Sequence, residues 1–290
     1  MHEPERLPMT RSRKVLLLVG GDLCRHVANQ MDSRDWLIRG LRRHPVPDSR
    51  IRWIGADLGS PESLQELPQD VTHVLYAPAP DSRDEASFQT VYPRGIEHLL
   101  CALRDASQLR HFVLVGSTVV WPACNSDNAT EWVDEVTPTF AGNFRSRAIL
   151  RAEQILFERF PGHGVALRLG GIYGPGRMRL LNGLRHGNIV APDGPGHWSN
   201  RIHIEDAARA CLHLLNLSDP ERCYIGTDGH PTDTAAFYDR LADLLGVPRP
   251  SRRALPPTGK RLSNARLVAS GWAPFWPDAL AGYQAMLSAP

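Results

Sequence analysis

The run Lys14-Val15-Leu16-Leu17-Leu18-Val19-Gly20-Gly21-Asp22-Leu23-Cys24 decides the architecture. Its apolar residues follow Lys14 without a polar break, so the strand they form is buried on both faces; a strand with one wet face would alternate. Two glycines then punctuate the chain, and the pattern over 22–29 is helical. Working outward, residues 36–41, 51–55, 73–77, 111–116 and 165–169 read as further strands. Helical patterns separate them: a start at Ser60-Pro61-Glu62 with Ser60 as N-cap, a long helix over 84–103 kinked at Pro93, and a helix over 144–159. Residues 204–217 and 232–245 read as helices, the second closed by Gly246. Strands alternating with helices predict an α/β fold, a Rossmann-type doubly wound parallel sheet. Ligands of such sheets bind at the carboxyl ends of the strands, here just after Val19, Leu41, Ala77, Gly116 and Leu169.

The expected organisation is a disordered tail over 1–13 and a core over 14–173 to which 201–226 returns. A smaller substrate-binding lobe comprises 174–200, a plausible mobile cover, and 227–290. With 290 residues and 42% hydrophobic content, the chain can bury a substantial core. A net charge of +2 gives no bulk case for binding nucleic acid or an anionic membrane. The basic residues are nearly all arginine, which suits either coding bias or anion recognition. Cys24, Cys101, Cys124, Cys211 and Cys223 are widely spaced and form no Cys-x-x-Cys, as expected for reduced thiols in a cytoplasmic protein. No apolar run approaches the roughly 20 residues that span a bilayer. The histidines and carboxylates form no metal-ligand spacing, and no metal is expected.

The turn after the first strand carries most of the functional signal. A dinucleotide fingerprint asks for Gly-x-Gly-x-x-Gly between strand and helix. The fitting register puts Val19, Gly21 and Cys24 at the three glycine places. Gly21 keeps the position where backbone approaches a pyrophosphate, and Cys24 is small enough for the third. Val19 is β-branched and unsuited to positive φ, so Gly20 is expected to take that strain. Gly20, Gly21, Asp22 and Leu23 are therefore candidate cofactor-binding residues. Arg42 and Arg43, after the second strand, stand where an acid would bind the ribose of NAD. Guanidinium forks there suit the 2′-phosphate of NADP, which is preferred over NAD. Asp57 is expected on the adenine side, and Ala77 and Gly171, at later strand ends, complete the set.

Taken together, Gly21-Asp22-Leu23, Gly40-Leu41-Arg42-Arg43, Gly55-Ala56-Asp57, Gly116-Ser117-Thr118, the segment Arg168 to Gly176 (RLGGIYGPG), Ile202-His203-Ile204-Glu205-Asp206 and Gly271-Trp272 occur in order. They resemble the NAD(P)-dependent epimerase/dehydratase family, among the extended or atypical short-chain dehydrogenases, over roughly residues 14–275. The resemblance implies that Ser117, which precedes Val120-Trp121, binds the reacting oxygen. It also implies a Tyr-x-x-x-Lys pair eight and four residues before Glu153. Those places hold Arg145 and Ile149, and no tyrosine in the chain has a lysine four residues later. Arginine stays protonated and is a poor acid or base, but it can bind an oxyanion. Tyr173 is a pocket-wall or packing candidate and the remaining candidate for the catalytic set of Ser117, Arg145 and Tyr173. His203 and Asp206 fit a structural turn and a helix start.

Two functions remain open. One is an oxidoreductase or epimerase-like enzyme for a small-molecule substrate, with another proton donor or none. The other is an NADP(H)-binding sensor or scaffold. A fold that binds no dinucleotide is the third reading. The resemblance implies a homodimer through the helices over 84–103 and 144–159.

Overall fold

Leu16, Leu17, Leu18 and Val19 are fully buried, because the strand that carries them sits inside the sheet with helices on both faces. The computed structural model describes residues 13–123, 131–257 and 259–288, which leaves Cys124 and nearly all of the expected tail outside the described residues. The central sheet has seven strands: β1 Lys14–Gly20, β2 Trp36–Arg42, β3 Arg52–Gly55, β4 His73–Ala77, β5 His111–Ser117, β6 Gly164–Leu169 and β7 Cys223–Gly226. All its pairings are parallel, in the order β7-β6-β5-β4-β1-β2-β3. The winding reverses between β1 and β4, which opens a crevice at their carboxyl ends.

Alternation within β1 assigns its side chains to two cores. Leu16 and Leu18 pack with Val27 and Ala28 of helix α1 (Asp22–Asn29), and with Ala207, Cys211 and Leu214 of the helix Ile204–Asn216. Leu17 and Val19 join the opposite layer, built from the segments after β4 and β5. That layer contains α2 (Glu85–Gln89), α3 (Gly95–Ala102) and α4 (Phe144–Arg159). Burying both faces of one strand stabilises the sheet by roughly 1.5–3 kcal/mol for each large aliphatic side chain.

The long helix expected over 84–103 is interrupted. Thr90–Arg94 forms a π turn around Pro93, which lacks an N–H and cannot continue an α-helical ladder. Tyr76 of β4 donates its hydroxyl to the Val91 carbonyl exposed by this turn. Residues Pro61–Leu64 make a single 3-10 turn, and Ser60 does not cap it. Its hydroxyl donates to Glu62 instead, 3.0 Å away.

Residues 174–200 are more regular than their glycine and proline content suggests. They carry α5 (Arg179–Arg185) and short strands at Val190–Asp193 and Trp198–Ser199. The next helix, α6, is Ile204–Asn216. Thr232–Asp233 is a short strand rather than the start of a helix, and Asp233 caps α7 (Thr234–Leu245) by accepting from Ala236 N at 2.9 Å. Gly246 ends α7 in the left-handed region at φ +65°. A third cluster, with Leu181, Leu184, Phe237, Leu241 and Tyr283, holds α5, α7 and the helix Ala279–Ser288 together. Among the described residues, no helix is long and apolar enough to cross a membrane, and Cys24, Cys101, Cys211 and Cys223 are free thiols.

Candidate functional site

Gly20 ends β1 at φ +140°, and a Cβ there would lie 2.4 Å from the Ala77 carbonyl oxygen. The turn is therefore carried by Gly20, while Val19 stays in the strand. Gly21 follows as N-cap of α1, with no side chain capping the helix, and borders open space: a Cβ on it would meet nothing within 4 Å.

Gly20, Gly21, Arg42, Arg43 and Asp57 line one cavity of about 370 Å³ at the ends of β1, β2 and β3. Pro78, Ala79, Asp81, Ser87, Thr90 and Val91 form its other side. The Arg42 guanidinium lies 5.5 Å from the Trp53 ring centroid. Arg43 forms an ion pair with Asp81 and holds that carboxyl below its ordinary range. Asp57 Oδ1 accepts from Gly59 N at 2.8 Å, which fixes its carboxylate at the wall. Ala77 lies behind the turn as the surface against which Gly20 packs. Leu23 is buried in the core, and Asp22 pairs with Arg177 at 2.8 Å. Asp81 and the residues following Ala77 are not marked in the sequence, because only the strand end itself has a readable pattern.

A second cavity, about 400 Å³, lies over the ends of β5 and β6. Ser117, Gly171, Asn200, Arg201, Tyr238 and Lys260 border it. Ser117 Oγ accepts from Val119 N at 3.3 Å, capping the turn Thr118–Val120, and its O–H is left to donate elsewhere. Lys260 Nζ donates to the Trp121 carbonyl. Tyr238, from α7, is the only tyrosine on this wall among the described residues. No sequence signal marks it, since it reaches the cavity from a helix far along the chain.

A third cavity, about 770 Å³, adjoins the second through two shared lining residues, Arg201 and Tyr238. Arg83, Arg177, Arg179 and Tyr283 also border it.

Arg145 lines none of these cavities. It is the second residue of α4, below the N-cap Asn143, and its guanidinium lies over the Phe144 and Phe88 rings at 5.4 and 5.9 Å. Ile149, at the lysine place, is core, only 1% exposed. Tyr173 is also a packing residue. Its ring stacks on Tyr283 at 4.5 Å and meets His203 edge-on at 5.1 Å. Burial, with the nearby Asp228 carboxylate adding to it, pushes the phenol far above its ordinary pKa. Asp228 is itself buried, and that burial pushes its carboxyl up to about 7. His203 caps α6 by accepting from Glu205 N. Asp206 is fully buried and accepts from Phe275 N and Trp276 N, both at 2.8 Å, so its carboxylate anchors that loop. No cluster of three His, Cys, Asp or Glu side chains able to hold a metal occurs among the described residues.

A parallel sheet with a strained glycine at its switch point and cavities at the strand ends is a Rossmann-type α/β fold. The chain belongs to the NAD-dependent epimerase/dehydratase family. A Methylobacillus flagellatus structure provisionally classed as an NAD-dependent epimerase/dehydratase is 32% identical, with TM-score 0.77, covering 95% of this chain and 98% of that one. Protein YeeZ of Escherichia coli K12 is 27% identical over 260 residues, 86% of this chain and 89% of its own length. Human epimerase family protein SDR39U1, solved with NADPH, shares the fold at TM-score 0.75 and 19% identity, covering 93% of this chain and 98% of that one. No protein-family model matches the chain.

Proposed function

We propose that this protein is an NADP-preferring oxidoreductase or epimerase-like enzyme that acts on a small molecule without a Tyr-x-x-x-Lys pair. One observation carries the reading: Gly20, Gly21, Arg42, Arg43 and Asp57, from three strand ends, border one cavity. The residues fit a dinucleotide. The turn brings glycine backbone to open space, and Arg42 and Arg43 border the same cavity, where guanidinium groups would suit a 2′-phosphate. A bound nicotinamide would supply hydride exchange. On the protein side, Ser117 Oγ donates to the substrate oxygen, and the Tyr238 hydroxyl takes the role of the missing acid. The Tyr238 hydroxyl would give its proton to a substrate oxygen that gains negative charge, and water would return a proton to the phenolate. Lys260 adds positive charge at the same wall. The NADPH-bound human neighbour is too distant to transfer a cofactor preference, so the preference rests on Arg42 and Arg43.

Arg42→Ala should weaken NADPH about 10–100-fold, the loss of one charge-assisted hydrogen bond of ~1.5–3 kcal/mol. NADH should change less than threefold. Calorimetric titration of both cofactors reads this, and equal losses would remove the case for NADP. Once a panel of carbonyl compounds supplies a substrate, Tyr238→Phe should lower kcat about 10²–10⁴-fold, the usual span of general acid catalysis, with NADPH affinity unchanged. Unaltered turnover would remove Tyr238 from the mechanism.

A second reading has its own support. Arg145 stacked on aromatic rings and Ile149 in the core leave the usual dyad positions without chemistry. NADPH binding without turnover across the panel would favour an NADP(H) sensor or scaffold.

A further inference from the structure

We infer that the substrate carries an oxyanion group, a carboxylate or phosphate, held in the third cavity by Arg83, Arg177, Arg179 and Arg201. The inference rests on the reading of the Ser117 cavity as the reaction centre. Charge supports it first. Four arginines and no aspartate or glutamate line this cavity. Where arginines lie beside carboxylates they form ion pairs, as Arg34 does with Asp32, Arg39 with Asp70, Arg43 with Asp81 and Arg249 with Asp243. Among the described residues, Arg83, Arg179 and Arg201 form no such ion pair, and only Arg177 is neutralised, by Asp22. Guanidinium groups gathered in a concave site repel one another and raise the local concentration of anions. Their planar forks match the two oxygens of a carboxylate or phosphate.

Position supports it independently. Arg201 and Tyr238 border both this cavity and the one containing Ser117. The Arg201 side chain is fixed at two points. Its Nε donates to Ser199 Oγ at 2.8 Å, and its guanidinium lies 5.5 Å from the Phe237 ring centroid. An anion anchored among the arginines therefore directs the rest of its molecule past Tyr238 toward Ser117. The expected substrate has an oxyanion at one end and the reacting carbonyl or hydroxyl at the other. Such an anchor raises effective concentration at the reacting centre.

The test uses the whole protein in low-chloride buffer. NADPH is titrated alone first. Succinate and inorganic phosphate are then titrated calorimetrically, with and without saturating NADPH, into wild type and into the double variant Arg83→Gln/Arg179→Gln. Both substituted side chains sit in exposed residues, and folding is checked by thermal melting. The expected result is saturable binding of at least one anion, retained with NADPH present and weakened at least tenfold in the variant. Tighter succinate assigns a carboxylate, and tighter phosphate assigns a phosphoester. Three results overturn the inference: no binding of either anion, equal affinity in the variant, or displacement by NADPH. The last would give the arginines to the cofactor's pyrophosphate, as the contact of Arg177 with the first turn of α1 would then explain. Failure of NADPH itself to bind while the anions still do would sink the proposed function and leave the anion site standing.

Discussion

Gly20→Ala is expected to destabilise the fold by about 2–4 kcal/mol and to remove NADPH binding from the molecules that stay folded. Two costs combine. At φ +140° an L side chain is strained wherever it points. The added Cβ would also sit 2.4 Å from the Ala77 oxygen and 2.7 Å from its carbon, both backbone atoms of the neighbouring strand that cannot rotate away. Relief requires β1 and β4 to separate at their carboxyl ends, which is where the crevice opens. Gly21→Ala supplies the contrast. Gly21 is at φ −123°, and its Cβ would meet nothing within 4 Å. Stability should fall less than in Gly20→Ala, by about 1 kcal/mol at most, the cost of alanine at an N-cap. NADPH affinity should still fall, because the methyl group projects where a pyrophosphate must approach the backbone. Urea denaturation and NADPH titration of both variants separate the effects. If Gly20→Ala matched wild type in the urea midpoint, the close packing of this turn on Ala77 would be wrong.

The parts of the molecule legible in sequence are those fixed by local pattern. The apolar run 15–19 announces β1, and Gly20 is the position where positive φ is needed. Arg42, Arg43 and Asp57 share a cavity with the glycines because parallel strands place their carboxyl ends side by side. Other features depend on contacts that no local pattern records. Apolar periodicity runs through 84–103, yet Pro93 interrupts the ladder with a π turn whose Val91 carbonyl accepts from the Tyr76 hydroxyl. The strand-end position of Tyr173 suggests a cleft residue, but the helix Ala279–Ser288 covers it with Tyr283. Tyr238 and Lys260 meet Ser117 only through tertiary folding of the C-terminal segments. The arginine cavity is hidden in the same way. Composition does not separate its four arginines from the many that pair with aspartates on the surface.

Loss of Arg168 is expected to be the most costly single charge substitution near the site. Arg168 of β6 donates from Nε to Glu153 Oε1 at 3.0 Å and from its terminal nitrogen to Oε2 at 2.7 Å. Both side chains are under a tenth exposed, and the guanidinium lies 4.6 Å from the Trp121 ring centroid. Arg168→Met would leave the Glu153 carboxylate buried without its cation, at a cost of about 3–5 kcal/mol. Glu153→Leu alone should cost a similar amount, through an unpaired guanidinium. The double variant should lose less than either single one, because two apolar side chains of similar volume can replace a buried ion pair nearly neutrally. A double-mutant cycle in urea measures this coupling. Single substitutions costing under about 1 kcal/mol would show that the pair is solvated in solution and contributes as little as a surface salt bridge. The pair also bears on function. Gly116 lies opposite Arg168 in the β5–β6 register, Ser117 opposite Leu169, and Trp121 offers its carbonyl to Lys260. A loosened Arg168 therefore displaces the strand end that presents Ser117 together with the loop that holds Lys260. In a variant that still folds, kcat should fall while NADPH affinity holds, because the cofactor cavity lies across the sheet at β1, β2 and β3.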